Sequence, residues 1–292
     1  LVGSNKKDVN SSIGLYPQET SLTIDVNNKN EDILFCSASL PVKLSTSISL
    51  YRNRILKINN EVENIEDSLG YFLRSLFRKR AFRELQCAAL INVLKGRDTV
   101  TLLPTGAGKS IIYQLAGLIL PGLTLVIDPI TALIEDQIQG LQLVGVDKAT
   151  GIPSSLTNQA DKLKIMRSIE RGDFQFILIS PERLQMPDFR ETLRALTEVS
   201  FINLAVIDEA HCVSEWGHNF RFSYLNLAEN LRRFCKSEGR NSPPLLALTG
   251  TASRTVLREL LTELKIDKND SESLIRPLNF DRKELKFRIS RV

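Results

Sequence analysis

Hydrophobic residues change their spacing along the chain near residue 60. Before that point, short runs such as Leu22 to Val26 alternate apolar and polar side chains, and Ser, Asn and Lys are frequent between the runs. This alternation is typical of strands with one buried face, and the Asn and Pro turns favour antiparallel pairing. We therefore predict a small β-rich N-terminal segment over residues 1–60, without recognisable chemistry, and a separate domain over residues 61–292.

Beyond residue 60, helical spacing appears. Apolar side chains recur every three or four residues between Ile65 and Phe77, which predicts an amphipathic helix, and a second helical pattern runs from Ala88 to Leu94. Apolar runs then alternate with helical patterns. The predicted buried strands are 100–103, 123–128, 174–180, 203–208 and 245–249. This order predicts an α/β fold on a doubly wound parallel sheet, in which ligands bind at the carboxyl ends of the strands.

The first of these strands leads into the sequence Leu103-Pro104-Thr105-Gly106-Ala107-Gly108-Lys109-Ser110. A glycine turn between a strand and a helix directs backbone N–H groups and the helix N-terminus at an anion. Lys109 is expected to reach the β and γ phosphates of a nucleoside triphosphate, and the Ser110 hydroxyl to bind Mg²⁺. The loop departs from the strict phosphate-loop pattern because Leu103 replaces its first glycine. A glycine-rich turn without a ligand is the alternative.

A second motif follows the strand at 203–208, where Asp208-Glu209-Ala210-His211 begins with adjacent carboxylates. Alternate side chains diverge at a strand end, so the two carboxylates are expected to have different roles. Asp208 is predicted to hold Mg²⁺ and Glu209 to polarise the attacking water. An exposed acidic turn after a core strand is the alternative interpretation.

The segment from His211 to Phe222 contains both histidines and the only tryptophan of the chain. Aromatic side chains such as Trp216 and Phe220 are costly to leave in water, and bases stack on them with about 1–3 kcal/mol each. They are therefore candidates for a nucleic-acid contact, and core packing under the sheet edge is the alternative. A zinc site is disfavoured because the spacing of His211, Cys212 and His218 fits none of the zinc patterns.

Two features before the phosphate loop are chemically ambiguous. A basic cluster follows the first helix. Two interpretations fit it equally well, a solvated cationic face and a surface that faces phosphates. Its members are Arg74, Arg78, Lys79, Arg80 and Arg83. Gln86 offers a donor and an acceptor that match the N6 and N7 edge of adenine, although a glutamine on a helix is usually only a surface residue.

Composition narrows the functional classes only slightly. With 38 Lys and Arg against 34 Asp and Glu, the net charge of +4 permits nucleic-acid binding without arguing for it. The four cysteines are too dispersed for a disulfide framework, which favours a reducing, intracellular setting, cytoplasmic or nuclear. No transmembrane segment is predicted, because Pro121-Gly122 interrupts the longest apolar run. The chain starts with Leu1, so we expect it to be an internal fragment of a longer protein.

Taken in order, the motifs resemble the first RecA-like domain of the RecQ family of superfamily 2 DNA helicases, over residues 72–287. The matching segments are Phe82-Arg83-x-x-Gln86, the phosphate loop, Tyr113-Gln114, Asp128-Pro129, Ser180-Pro181-Glu182, Asp208 to Cys212, Trp216-Gly217-His218-x-Phe220-Arg221 and Leu248 to Ala252. The Trp-Gly-His loop directly after Asp-Glu-Ala-His-Cys is the most specific of these.

The resemblance implies a set of roles. Arg83 and Gln86 would read adenine, while Thr105, Gly106, Gly108, Lys109 and Ser110 would bind the phosphates of ATP. Ser110 and Asp208 would hold Mg²⁺, and Lys109, Asp208, Glu209 and His211 would form the catalytic set. Trp216, His218, Phe220 and Arg221 would couple single-stranded DNA to hydrolysis, and Thr249 and Thr251 would link that coupling to domain movement. A second RecA-like domain would follow and supply an arginine, so the isolated chain is expected to bind ATP weakly and hydrolyse it poorly.

Departures from the family pattern leave other functions open. The family usually has Ser where this chain has Asp128, Gln in place of Glu215 and Asp in place of Asn219. An RNA helicase of the DEAH type would share the phosphate loop and Asp208 to His211 but not the tryptophan loop. A non-catalytic ATP-dependent switch or interaction module would bind ATP without turnover. A P-loop kinase is disfavoured by Glu209-Ala210-His211.

Overall fold

The computed structural model describes residues 21–25, 33–37, 65–104, 106–152, 158–215, 224, 226–250, 253–267, 270 and 272–277. Near the start of the chain, β1 (Ser21–Asp25) pairs antiparallel with β2 (Ile33–Ser37). Antiparallel strands were predicted in this segment, and these two confirm that arrangement. The predicted domain boundary at residue 60 lies outside the described residues and stays a prediction.

A seven-stranded sheet, parallel throughout, forms the centre of the remaining chain. Its strands are β3 (Thr99–Leu102), β4 (Leu123–Ile127), β5 (Ala149–Ile152), β6 (Phe176–Ile179), β7 (Ile202–Ile207), β8 (Leu245–Thr249) and β9 (Leu274–Ile275). They lie in the order β5-β6-β4-β7-β8-β3-β9. The α/β fold predicted from the sequence is therefore confirmed, and the five predicted strands are present.

Helices cover both faces of this sheet. They are α1 (Ile65–Phe77), α2 (Gln86–Leu94), α3 (Ser110–Ile119), α4 (Thr131–Leu143), α5 (Gln159–Glu170), α6 (Pro181–Gln185), α7 (Pro187–Leu196), α8 (Cys212–Glu215), α9 (Leu227–Phe234) and α10 (Arg254–Glu263). Side chains of α1 to α3 share one hydrophobic core, and those of α5, α7 and α9 share the core on the opposite face. Alternating strand residues divide between the two cores, as Val126 and Leu125 do.

Local signals set several helix ends. The side chains of Asn158 and Ser253 accept hydrogen bonds from backbone N–H groups in the first turns of α5 and α10. Pro181 and Pro187 begin α6 and α7, where a missing N–H costs nothing. These short-range devices fix where the chain enters each helix and, with it, where each strand end lies.

The parallel sheet brings the carboxyl ends of distant strands to one edge. Asp128 follows β4 and Asp208 follows β7, and these strands are neighbours in register, with Ile127 opposite Ile207. The phosphate loop follows β3, which pairs with β8. The predicted chemistry is thereby gathered at one edge of the sheet.

Candidate nucleotide-binding site

The phosphate loop is an open turn between β3 and α3. The Leu103 N–H donates to the Thr249 carbonyl at 3.0 Å and ties the start of the loop to β8. Gly106 and Gly108 have φ angles of 80° and 73°, in the left-handed region that favours glycine. Within the described residues, the N–H groups of Gly108 and Ser110 have no backbone acceptor. A helix start with unsatisfied donors is the arrangement that binds a phosphate.

The side chains of Gln86 and Arg83 hydrogen-bond to the carbonyl groups of this loop. The Gln86 side chain is 4% exposed, and its Nε2 donates to the carbonyls of Ala107 and Gly108 at 2.8 and 2.9 Å. Its Oε1 accepts from the Arg83 N–H at 2.8 Å, and Arg83 Nη1 donates to the Gly106 carbonyl. A Cβ at Gly108 would lie 3.0 Å from Gln86 Nε2 and would push the amide from its place, so this contact favours glycine as the φ angle does. Recognition of adenine by Arg83 and Gln86 stays a prediction.

Three charged side chains contact one another across the sheet edge, in the order Lys109, Glu209, His211. Lys109 Nζ lies 3.4 Å from Glu209 Oε1, and His211 Nδ1 lies 3.3 Å from Glu209 Oε2. The same His211 nitrogen lies 3.2 Å from the Thr249 hydroxyl at the end of β8. The structure thus connects the phosphate loop, the carboxylate motif and Thr249 through direct contacts.

The charge states of these three side chains follow from those contacts. Hydrogen bonds to the Cys212 sulfur and the Glu209 carboxylate raise the pKa of His211 to about 10. The hydrogen bond from His211 and the charge of Lys109 lower the pKa of Glu209. At neutral pH a carboxylate therefore lies between two cations, so a phosphate that approaches Lys109 competes with Glu209 for it.

Two buried carboxyl groups adjoin these three charged side chains. Asp208 is 7% exposed and Asp128 is 1% exposed. Burial and the negative charge of Glu209 raise the pKa of Asp208. Burial, with the charges of Asp208 and Glu209, raises the pKa of Asp128 to about 7, although its Oδ1 accepts from the Ile130 N–H at 2.9 Å. The raised pKa values reflect a shortage of positive charge beside these two carboxyl groups, which a divalent cation would supply.

Ser110 and Asp208 carry oxygen atoms of the kind that magnesium binds. Mg²⁺ prefers oxygen ligands and usually takes one or two protein side chains together with water and substrate phosphates. Ser110 begins the helix that follows the phosphate loop, and Asp208 directly follows β7. Within the described residues, no cluster of three His, Cys, Asp or Glu side chains forms a metal site made of protein alone.

A buried hydrogen-bond network adjoins these carboxylates. The Tyr113 hydroxyl donates to Gln137 Oε1 at 2.9 Å, and Gln114 Nε2 donates to the same oxygen at 3.2 Å. Burial and the charges of Asp208 and Asp128 raise the pKa of Tyr113, which therefore stays a neutral donor. The network connects α3, which carries the phosphate loop, to α4 after Asp128.

The structure brings together most, but not all, of the predicted site residues. Arg83, Gln86, Gly106, Gly108, Lys109, Ser110, Asp208, Glu209, His211 and Thr249 lie around one edge of the sheet. Thr105, Trp216, His218, Phe220, Arg221 and Thr251 lie outside the described residues. Their roles therefore stay predictions.

Sequence reasoning missed the contributions of Asp128 and Gln137. Asp128 was noted only as a departure from a family pattern. Its position after a buried strand, like that of Asp208, was the available signal, because adjacent parallel strands place such residues side by side. Gln137 carries no signal in the sequence, because its partner Tyr113 lies on another helix.

No helix within the described residues is long and apolar enough to cross a membrane. Cys87, Cys212 and Cys235 are free thiols.

Comparison with known proteins places the chain in a family. The sequence profile of the DEAD/DEAH box helicase family matches residues 83–260. The "Probable ATP-dependent DNA helicase RecS" of Bacillus subtilis (strain 168) is 37% identical over 194 residues, which cover 66% of this chain and 36% of that protein. The "RecQ-like DNA helicase BLM" of Xenopus laevis is 32% identical over 287 residues, which cover 94% of this chain and 20% of that protein. The chain spans little more than a third of the first relative and a fifth of the second.

A solved structure shares the fold. The crystal structure of the DUF1998 helicase MrfA bound to DNA and AMPPNP aligns with a TM-score of 0.51 and 21% identity, over 65% of this chain and 28% of that chain. The structural likeness shows the fold, and the sequence match decides the family. The chain belongs to the DEAD/DEAH box helicase family, and the relatives that it resembles there are RecQ-family DNA helicases.

Proposed function

We propose that this chain is the ATP-binding motor domain of a RecQ-like DNA helicase, and that it couples the hydrolysis of ATP to the binding of single-stranded DNA. The contact of Lys109 with Glu209 at 3.4 Å carries the proposal, because it joins the phosphate loop to the carboxylate motif. The names of the relatives, which are ATP-dependent DNA helicases, support the same activity.

ATP would bind with its phosphates over the loop from Gly106 to Ser110. The N–H groups of the loop and the dipole of α3 would hold the phosphate oxygens, and Lys109 would turn from Glu209 to the β and γ phosphates. Gln86 and Arg83 would hold the loop carbonyls away from the phosphates, since their donors already engage them. Contact of these two residues with adenine is a further part of the proposal.

Magnesium would be held by the Ser110 hydroxyl and the Asp208 carboxylate. The ion supplies charge neutralisation on the phosphates during transfer. Asp208 is suited to this role because it is buried and its Oδ1 accepts from the Glu209 N–H at 2.9 Å, which fixes its orientation.

Glu209 would orient the water that attacks the γ phosphate. Its carboxylate is ionised and half-buried, and the departure of Lys109 toward the phosphates leaves Oε1 available to accept from water. His211 holds the other oxygen and also contacts Thr249. This gives a physical route by which the state of the nucleotide reaches the end of β8.

DNA coupling is assigned to Trp216, His218, Phe220 and Arg221. These residues follow α8 directly, and α8 begins one residue after His211. The resemblance to RecQ helicases and the stacking capacity of aromatic rings support the assignment. A nucleic-acid substrate would place the protein in the cytoplasm or the nucleus.

Hydrolysis would also need an arginine from a second RecA-like domain. Such a residue stabilises the transition state of phosphoryl transfer by about 10³–10⁵ in rate. We expect the 292-residue chain alone to hydrolyse ATP slowly, with little response to single-stranded DNA. Strong DNA-stimulated hydrolysis by this chain would contradict the need for a second domain.

Nucleic-acid preference tests the proposed function. We expect the chain to bind fluorescent single-stranded DNA more tightly than RNA of the same sequence, and the affinity to change when Mg²⁺ and ATP are added. Trp216→Ala should remove this nucleotide dependence, while Trp216→Phe, which keeps a stacking surface, should retain it. Tighter binding to RNA would favour the RNA helicase alternative, and an unchanged response in Trp216→Ala would contradict the role of the loop.

A further inference from the structure

A surface at the end of α1 carries a cluster of cations that the nucleotide site does not use. Between Ser68 and Arg83 the sequence contains five basic residues and no acidic one. We call Arg74, Arg78, Lys79 and Arg80 the basic strip. All four are exposed.

The backbone fixes the strip in place. The Arg78 N–H donates to the Arg74 carbonyl and the Lys79 N–H to the Leu73 carbonyl, which closes the end of the helix. Arg78 has a φ angle of 53°, so the chain turns sharply at this residue. The buried Phe77 anchors the turn in the core. Three consecutive cations therefore project from a defined turn rather than from a loose loop.

The cations of the strip are not neutralised by neighbouring acids. Within the described residues, the side chains of Arg78, Lys79 and Arg80 form no ion pair. Glu84, the nearest acid after the strip, is exposed and forms no ion pair within the described residues. Glu66 and Asp67 lie at the start of α1, roughly 16 Å from its end at the helical rise. That separation exceeds the Debye length of about 10 Å at 0.1 M salt. A cation in the last helical turn interacts favourably with the helix dipole. This interaction explains the position of Arg74 but not the presence of three cations beyond the helix.

The strip also borders the nucleotide site. Arg80 is three residues from Arg83, so their Cα atoms are at most about 11 Å apart. Arg83 in turn donates to the Gly106 carbonyl of the phosphate loop. A ligand on the strip would therefore lie beside the edge of the sheet where ATP and its coupled machinery are proposed to act.

We infer that the basic strip binds the phosphate backbone of DNA, as a contact separate from the tryptophan loop and in a role that rests on the proposed function. Contacts of Lys and Arg with phosphates supply most of the sequence-independent affinity of proteins for DNA, and the strip offers several exposed cations at one place. A protein interface would bring exposed apolar or aromatic side chains, yet no large exposed hydrophobic residue of the described chain lies between residues 65 and 85.

Salt dependence of DNA binding tests the inference. The triple variant Arg78→Gln, Lys79→Gln, Arg80→Gln removes three charges and leaves Arg83 unchanged. Lys164→Gln, Arg167→Gln, Arg171→Gln is the matched control, because α5 packs on the opposite face of the sheet from α1. Binding of fluorescent single-stranded DNA by the 292-residue chain is measured over a series of salt concentrations. ATP affinity is measured in parallel.

We expect the strip variant to lower the slope of log K against log salt by about 2, since each phosphate contact contributes about 0.7 for single strands. Affinity at 0.1 M salt should fall by roughly 100-fold, with ATP affinity unchanged, and the control should retain the original slope. Equal slopes for the strip and control variants would overturn the inference. Absence of DNA binding by the unchanged chain would instead contradict the proposed function. If the strip variant kept its DNA affinity but lost binding to an acidic peptide, the strip would be a protein contact and the inference would also be overturned.

Discussion

Glu209 is held between two cations in a backbone conformation that few side chains adopt. Its φ angle is 44°, and its carboxylate contacts Lys109 on one side and His211 on the other. A non-glycine residue in the left-handed region is strained, and such strain tends to persist where function requires the geometry. In this conformation the carboxylate contacts Lys109 of the phosphate loop.

Substitution of Glu209 by Gln should strengthen ATP binding. The change removes the carboxylate that holds Lys109 and a negative charge near the phosphates. A partly buried pair of this kind is worth about 0.5–1 kcal/mol, so we expect an increase of roughly two- to fivefold in ATP affinity. A fluorescent ATP analogue measures it. Glu135→Gln, at an exposed position on α4, is the control, and weaker binding by Glu209→Gln would contradict the proposed competition for Lys109.

Asp128 should make folding stability depend on pH. Its pKa of about 7 in the folded chain, raised by burial and by Asp208 and Glu209, exceeds the ordinary value of 3.8. The folded state therefore binds the proton more tightly, and the stability contributed by the protonated carboxyl is lost as pH rises from about 4 to about 7. The loss is at most about 4 kcal/mol.

Asp128→Asn removes this titration and keeps an oxygen that can accept from the Ile130 N–H. We expect the variant to gain stability over the unchanged chain at pH 8, and the difference to shrink toward pH 4. Urea unfolding without Mg²⁺ measures it at both values. Asp136→Asn, an exposed substitution on α4, is the control. A difference that does not change with pH would show that Asp128 is not buried as a protonated carboxyl.

At the scale of elements, the packing of α3 on the sheet determines where the phosphate loop lies. A Cβ on Gly117 would lie 2.5 Å from Thr124 Oγ1 and 2.6 Å from Phe176 Cε1. The helix therefore approaches β4 and β6 more closely than any larger residue allows. This close approach fixes the axis of the helix whose N-terminus faces the phosphates.

Gly117→Ala should destabilise the fold by about 1–3 kcal/mol, because the added methyl group forces the helix from the sheet. Gly140→Ala is the matched control, since a Cβ at this α4 position meets nothing within 4 Å. The control should gain about 0.5–1 kcal/mol from improved helix propensity. Urea midpoints compare the two variants. A Gly117→Ala midpoint equal to or above that of the unchanged chain would contradict the close packing.

The sequence predicted long, strongly apolar elements well and short ones poorly. The buried strands β4, β7 and β8 and the amphipathic helix α1 appeared where their patterns placed them. Strands β5 (Ala149–Ile152) and β9 (Leu274–Ile275) were missed. Each is short and lies at an edge of the sheet, so pairing with a neighbour rather than its own pattern specifies it.

At the scale of the whole molecule, parallel topology explains how distant motifs form one site. Lys109 and Thr249 are far apart in sequence, yet β3 and β8 are paired neighbours. The α/β pattern of the sequence predicted that the motifs would share the carboxyl edge of the sheet. The individual contacts did not follow from it, because the bond from His211 to Thr249 and the bracing of the loop by Gln86 depend on side-chain packing between elements.

Calorimetric titration of ATP into the 292-residue chain, with Mg²⁺ and with a chelator, tests the central claim most directly. We expect binding that requires Mg²⁺ and that falls roughly tenfold or more in Lys109→Ala, equivalent to about 1.4 kcal/mol. Lys164→Ala, on the opposite face of the sheet, should bind as the unchanged chain does. Equal affinity in Lys109→Ala, or affinity indifferent to Mg²⁺, would contradict the assignment of this sheet edge as the ATP site.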